Sequence, residues 1–264
     1  MTTSTRFKCL LVLPFVQWLL CTPLCGQSSR YFFYAPNTAQ VAFLSDKHDG
    51  SLGIGYGRGG KNTVLEAQAV YSPVRHGAVM VNFMSSEKKS ARDSLGSGTE
   101  FSFGEIGVGL YKEWEHGSAS VFAGVGQGRL HNDYGGDQYS RFTVRRWFLQ
   151  PAVSYSGKNF RGGISLRLSR LSYPRGATSF NIGPELDVIK KIDKEAPFFL
   201  PEPAITGGLI LRPFIFSINL TTVFPDADGL LFSRTNFNMM LSFDLGEFYR
   251  MRKEKSAKRI TPSF

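Results

Sequence analysis

RPFIFSINLT, at residues 212–221, alternates between two kinds of side chain and decides the fold. Its apolar series is Phe214, Phe216, Ile218 and Leu220, and polar residues stand between the later members. The pattern returns in FNMMLSFDL at residues 237–245, after a turn-rich insert. A period of two over about ten residues is that of a β-strand with a different environment on each face. Two such strands with a Phe-rich apolar face are typical of a barrel that spans an outer membrane.

Alternation of the same kind recurs from Ser51 onward. The apolar series fall in Leu52–Tyr56, Leu65–Tyr71, Val79–Phe83, Ile106–Leu110, Ala119–Val125 and Ile164–Leu168. The count is about ten strands, an even number typical of outer-membrane barrels. No run of about 18 apolar residues interrupts this region, so helical membrane spans are not expected. We therefore predict an all-β fold, an antiparallel transmembrane β-barrel of outer-membrane type over residues 51–246.

The predicted connections alternate in length. Long polar connections are expected at Ser85–Thr99, Arg129–Gln138, Tyr173–Ala196 and Phe224–Thr235, and short turns at Ser72–Gly77, Glu115–Ser118, Ser156–Asn159 and Gly207–Gly208. Long loops at one end and tight turns at the other are typical of outer-membrane barrels. An even strand count then places both chain ends at the short-turn end. Within the longest loop, acids early and lysines late in Pro184–Ile192 predict a short helix.

The segments flanking the barrel have different compositions. Residues 1–26 carry basic residues followed by a short apolar core, which predicts a cleaved export signal. All three cysteines, Cys9, Cys21 and Cys25, lie in this segment, so the rest of the chain has no disulfide framework. Cleavage after Gly26 and lipidation of Cys25 are both open alternatives. Residues 27–50 are expected to form an extended N-terminal segment, and 247–264 a basic C-terminal tail.

The net charge of +10 is concentrated in part at the C-terminus, where residues 250–259 hold six Lys or Arg and one acid, Glu254. Basic runs of this kind occur in nucleic-acid binders and at anionic membranes. After an exported barrel, we expect contact with outer-membrane lipid and no nucleic acid. A surface or periplasmic protein partner is expected to bind through the loops or this tail.

Several motifs in this chain resemble a known family. They are YAPN at residues 34–37, LSDKHDG at 44–50, FLQP at 148–151 and FLPEP at 199–203. These motifs are similar to those of the uncharacterised β-barrel outer-membrane proteins common in Bacteroidota. The resemblance covers most of residues 31–245. It implies an outer-membrane barrel and brings no catalytic residues with it.

The inward-facing positions of the predicted strands carry charged and polar residues of both signs. We expect a lumen polar network of Glu66, Glu105, Gln150, Arg167, Glu202, Arg212 and Asp244, with Gln68 and the arginines at 145–146 nearby. Such a network either forms a paired plug or lines an ion path. A barrel of about ten strands is narrow, whereas wide aqueous channels need roughly 16–18 strands. A plug is therefore favoured over a general porin.

Other candidate sites are weaker. His131, with Asp133 and Asp137, lies in a predicted outer loop, where a histidine beside a carboxylate acts as a base in some hydrolases. No nucleophile accompanies this pair, and Asn, Asp and Gly are also common turn formers. The other histidines are scattered without the spacing of metal ligands. We therefore predict no enzymatic activity, no metal and no cofactor.

The sequence thus predicts a structural or surface-binding barrel in the outer membrane. A narrow channel for small solutes is the first alternative. A soluble periplasmic barrel of the lipocalin type is the second, because alternation alone does not say which face of the strands is inside. The two orientations place Phe214–Leu220 and Phe237–Leu245 either against lipid or against an internal ligand.

Overall fold

The structure, a computed structural model, describes residues 31–59, 62–89, 98–180, 184–224 and 232–260. Within these ranges it contains ten strands and two helices. The strands are β1 Gly50–Gly59, β2 Asn62–Val74, β3 Gly77–Lys89, β4 Gly98–Trp114, β5 Gly117–Gly135, β6 Gln138–Ser156, β7 Phe160–Thr178, β8 Phe198–Leu211, β9 Phe214–Thr222 and β10 Thr235–Asp244. The helices are α1 Pro184–Glu195 and α2 Leu245–Ile260. The predicted export signal and its three cysteines lie outside the described residues.

The ten strands form one closed barrel. Each strand pairs antiparallel with its neighbours in sequence, and β1 pairs with β10 to complete the ring. The prediction of an antiparallel barrel of about ten strands is therefore confirmed. The predicted helix in the β7–β8 connection is also confirmed, because α1 begins at Pro184.

Two predicted connections are wrong. Gly207 and Gly208 form no turn; they lie inside β8, opposite Ile218 and Ser217 of β9, and the turn is at Arg212–Pro213. A Cβ on Gly208 would lie 3.0 Å from the Cβ of Ser217, so this glycine allows two strands to approach closely.

The predicted long loop at Arg129–Gln138 is a tight hairpin instead. β5 and β6 continue through this region as strands of 19 residues each, and they meet at Gly135 and Gly136. The φ angles of these glycines are 95° and 63°, which a tight hairpin turn requires and glycine adopts without strain. The strands therefore extend well beyond the region where the apolar alternation is clear.

The barrel has two halves with opposite polarity. In register across β5 and β6, Val125 is opposite Trp147, and the next outward pair is Gln127 opposite Arg145. We call the side of Val125 and Trp147 the short-turn half and the side of Gln127 and Arg145 the long-loop half. They differ in what faces outward and what faces inward.

In the short-turn half, apolar side chains face outward on every strand. The exposed residues include Leu52, Ile54, Leu65, Val79, Val81, Phe83, Ile106, Val108, Leu110, Val121, Val125, Trp147, Leu149, Val153, Ile164, Leu166, Leu209, Phe216, Ile218, Phe237, Met239 and Leu241. Many inward positions here are polar, among them Gln68, Asn82, Gln150, Ser165, Asn219, Asn238 and Ser242. The interior is mixed, because Val70, Met80, Phe122 and Phe148 form a buried apolar cluster beside these polar positions. The exterior of this half is the reverse of that of a water-soluble barrel, which is mainly polar.

In the long-loop half the arrangement is that of a soluble protein. Its inward positions form an apolar cluster that includes Phe101, Phe103, Leu130, Phe142, Val144, Leu171, Phe198 and Leu200. The outward positions on the same strands include Ser102, Arg129, Arg141 and Arg145, and all four are exposed. The long-loop half therefore has a hydrophobic core and a polar exterior.

Residues 31–44 run through the barrel, and we call them the lumen strap. At the long-loop end the ring of Tyr31 lies 4.2 Å from that of Tyr134. At the short-turn end the backbone N–H of His48 donates to the carbonyl of Ser72, after which the chain enters β1. The predicted extended segment is thus inside the lumen, and Tyr31, the first described residue, lies at the long-loop end. The chain ends, which are expected at the short-turn end, lie outside the described residues.

Helix α2 begins directly after β10 at the short-turn end. The Asp244 carboxylate accepts a 2.8 Å hydrogen bond from the backbone N–H of Glu247, which caps the first turn. Glu247 also pairs with Arg212 at 3.1 Å and with Arg250 at 3.2 Å. The predicted basic tail is therefore helical from Leu245 to Ile260.

Candidate functional site in the barrel lumen

A ring of two arginines and two glutamates lies at the centre of the lumen. Arg167 donates to both acids, at 3.1 Å to Glu105 and 2.8 Å to Glu202. Arg146 pairs closely with Glu105 and lies 3.7 Å from Glu202. All four side chains have no exposed surface. Two positive and two negative charges compensate each other here, which a group removed from water requires.

The lumen strap completes this ring with two side chains. The Tyr34 hydroxyl donates a 2.7 Å hydrogen bond to Glu202 and accepts a close one from Arg146. The Asn37 amide donates to Glu105 at 2.9 Å, and its oxygen accepts from Arg146 at 2.7 Å. Burial raises the pKa of Tyr34 above its usual range, so its hydroxyl stays protonated and remains a donor.

The wall also binds the backbone of the strap. Glu66 accepts from the N–H of Thr38 at 3.0 Å, and Thr221 accepts from the N–H of Ala39 at 3.2 Å. Strap carbonyls accept hydrogen bonds from the side chains of Asn132, Tyr173, Asn236, Arg167, Gln68 and Gln150. These bonds satisfy backbone groups that are buried from water. The lumen is therefore built as a binding site for this extended segment.

The structure brings together five of the seven residues predicted for the lumen network. These are Glu66, Glu105, Gln150, Arg167 and Glu202, and each is buried. Asp244 lies at the short-turn rim, where it caps α2. Arg212 is a correction: it occupies the β8–β9 turn, its side chain is 55% exposed, and its partner is Glu247. The turn displaces Arg212 from the wall, because β8 ends at Leu211.

Sequence reasoning missed the strap as part of the site. Tyr34 and Asn37 belong to a segment without periodicity, so nothing local indicates that they face Glu105 and Arg146. Arg146 was considered only together with Arg145. The alternation on β6 separates them, because Arg145 is exposed and Arg146 is buried. The alternation does predict the orientation of Arg146, because it lies two residues from Phe148, which faces inward.

The candidate base His131 has other partners in the structure. Its Nδ1 accepts a 2.9 Å hydrogen bond from Arg141, and its ring stacks against Tyr139. The Asp133 carboxylate accepts from the backbone N–H of Gly135 at 2.9 Å, which is a turn interaction. In the described ranges, no three His, Cys, Asp or Glu side chains are grouped as metal ligands.

Two further comparisons concern the chain as a whole. Among the described residues, neither helix has the length and apolar content needed to cross a membrane. The sequence matches no known protein family, and a search of curated proteins finds no similar one.

Proposed function

We propose that this protein is a non-enzymatic barrel of the bacterial outer membrane that acts through its surface, with a lumen closed by its own strap. The observation that carries the proposal is the apolar exterior of the short-turn half, to which all ten strands contribute. An apolar belt around a closed barrel is stable against lipid, and in water it would be an aggregation-prone surface. The resemblance to Bacteroidota outer-membrane barrels supports the same location.

The height of the belt fits a membrane. On β6 the outward residues from Trp147 to Tyr155 are apolar or aromatic. These nine positions rise about 20 Å along the barrel axis at a strand tilt of about 40°. The apolar band of outer-membrane barrels is about 25 Å tall. Trp147 and Tyr155 at its two limits, both exposed, match the aromatic girdles found at membrane interfaces.

The closed lumen supports a structural or binding role. The charged ring is buried, each of its charges is paired with an opposite one, and it is joined to Tyr34 and Asn37, so its groups hold the strap. A channel for small solutes requires water along the axis, where the strap lies. A lipocalin-type carrier requires a polar exterior and an open apolar interior, whereas the short-turn half has an apolar exterior and an interior occupied by the strap.

Fractionation of cells and gel mobility test this proposal. We expect the protein to sediment with the outer membrane, to resist carbonate washing, and to migrate differently in unboiled and boiled samples. Release by washing without a heat-dependent shift would overturn it. Reconstitution in planar bilayers tests the closed lumen, where we expect no conductance above background. A reproducible conductance that ends on addition of protease would show that the protein is a channel and would overturn the binding role.

A further inference from the structure

Four arginines surround Thr143 on the outer surface of the barrel. Arg141 and Arg145 precede and follow it by two positions on β6, and a spacing of two residues along a strand is about 7 Å. Arg129 of β5 and Arg175 of β7 are its direct cross-strand partners. Side chains of directly opposed residues lie on the same face, with Cβ atoms about 5 Å apart. All four arginines are exposed.

No carboxylate of the described residues forms an ion pair with any of the four. Arg141 donates to His131 at 2.9 Å, and its guanidinium lies 4.7 Å from the Tyr139 ring. Arg145 donates to the Gln127 amide oxygen at 3.3 Å. These partners are neutral or aromatic. Acidic side chains stand on the long-loop side of the cluster, where Asp133, near the β5–β6 hairpin, and Glu100 of β4, opposite His131, line one surface depression with Arg129 and Arg141.

Arg129 and Arg175 are diagonal neighbours of Arg141 and Arg145 across Thr143. Like charges at diagonal positions of a sheet are about 7–8 Å apart and repel one another, so an anion bound among them would relieve this repulsion. Guanidinium groups bind phosphate oxygens in a bidentate manner, which makes arginine well suited to phosphate recognition. Four guanidinium groups around one threonine hydroxyl form a surface for a doubly or multiply charged phosphate group.

The position of the cluster selects the kind of anion. Arg145 is the last polar outward residue of β6 before Trp147, where the apolar belt begins. Arg129 is likewise two positions beyond Gln127, the first polar outward residue of β5 after Val125. The cluster therefore begins at the edge of the belt with Arg145 and extends along β6 toward the long-loop end as far as Arg141. In a membrane, lipid headgroups occupy this level while their acyl chains cover the belt.

We propose that Arg129, Arg141, Arg145 and Arg175 bind the phosphate groups of a glycolipid in the outer leaflet. The proposal rests on the proposed function, because it takes the belt to be embedded in a membrane with the long-loop half outside. The acyl chains of the glycolipid lie against Val125, Trp147 and Leu149, and its phosphorylated headgroup lies among the arginines. The lipid thereby bridges the two halves of the barrel.

Binding of diphosphoryl lipid A tests this proposal. The full chain is reconstituted in phosphatidylcholine nanodiscs and titrated with diphosphoryl lipid A, with dephosphorylated lipid A, and with inorganic phosphate. We expect the diphosphorylated lipid to bind at least tenfold more tightly than the dephosphorylated one, and free phosphate to bind far more weakly than either. The R129Q/R145Q variant should lose at least tenfold in affinity for the diphosphorylated lipid.

A variant with the same change in charge serves as the control. R75Q/K158Q removes two exposed cations from the short turns β2–β3 and β6–β7 at the opposite end and should bind lipid A within twofold of the unsubstituted protein. Equal losses in both variants, or none in either, would overturn the proposal. Phosphate binding as tight as that of the lipid would assign the site to a free anion and overturn the lipid assignment. The heat-dependent gel shift shows that each variant is folded, and washing of membranes tests the proposed function separately.

Discussion

The outward-facing side chains are apolar in the short-turn half and polar in the long-loop half, although the same strands form both halves. On β6, Trp147 and Leu149 face outward in one half, whereas Phe142 and Val144 face inward in the other. The polarity exchanges between Arg145 and Trp147 without a break in the strand. The barrel therefore combines a wall suited to lipid with a core suited to water, and the charged ring containing Arg146 lies where they meet. In the proposed membrane location, a boundary between lipid and water accounts for the exchange without a change of fold.

The largest expected effect comes from the ring at this boundary. Arg146→Met removes one of the two cations that compensate Glu105 and Glu202, so the buried ring keeps one uncompensated negative charge. Loss of one partner of a buried pair lowers the free energy of unfolding by about 3–5 kcal/mol. Urea unfolding in lipid vesicles, followed by the gel shift, measures it. Arg145→Met, one position away and exposed, should change it by less than about 0.5 kcal/mol. Similar losses in both variants would contradict the assigned phase of β6.

The core of the long-loop half should behave like that of a soluble protein. Phe142→Ala removes a buried ring that packs edge-on against Phe33 and Tyr173. We expect a loss of about 3–5 kcal/mol in unfolding free energy. The loss should be the same in thin and thick bilayers, because Phe142 does not contact lipid. Arg141→Ala, exposed on the same strand, is the control, and a loss as large for it would remove the distinction between core and surface.

A charged side chain that faces outward should lower the free energy of unfolding substantially only in the short-turn half. Leu149→Arg places a cation in the apolar belt, which lowers stability by about 2–4 kcal/mol near the membrane centre. Gln127→Arg places the same side chain outward beyond the belt and should lower it by about 0–1 kcal/mol. Unfolding titrations of both variants in the same vesicles compare them directly. Equal penalties would mean that the edge of the belt does not lie between these positions.

The smallest of these effects concerns the strap. Tyr34→Phe keeps the ring and deletes the hydroxyl that donates to Glu202 and accepts from Arg146. An unsatisfied buried group costs about 1–3 kcal/mol. Limited proteolysis should then cut within residues 31–44 faster than in the unsubstituted protein. Tyr139→Phe, at the half-buried hairpin, should leave the cleavage rate unchanged. An unaltered rate in Tyr34→Phe would show that the hydroxyl does not hold the strap.

The sequence was informative where the environment alternates with period two. Strands Phe214–Leu220 and Phe237–Phe243 have one face toward the barrel interior and the other toward the exterior, so the strands and the barrel could be predicted. The hairpin at Gly207–Gly208 could not, because paired glycines signal a turn and a close strand approach equally well. The sequence of the long-loop half resembled that of polar loops. Its outward residues, such as Arg129 and Arg141, are polar, and its apolar aromatic residues face inward instead of outward.

The site could be predicted only on the wall. Glu105, Arg167 and Glu202 lie at inward positions of regular strands, so their phase placed them in the lumen. The strap contributes Tyr34 and Asn37 through contacts between residues more than one hundred positions apart, such as the bond from Arg146 to Tyr34. A segment without periodicity carries no sign of such distant partners, and its burial follows only from the closed ring around it.

The strap also changes the number of times the chain passes along the barrel axis from even to odd. Ten strands return a polypeptide to the side on which it began, but the strap adds one more passage along the barrel axis, which makes eleven. Tyr31 and α2 therefore stand on opposite faces. If the barrel lies in an outer membrane as proposed, with its long-loop half outside, Tyr31 faces the cell surface and α2 faces the periplasm.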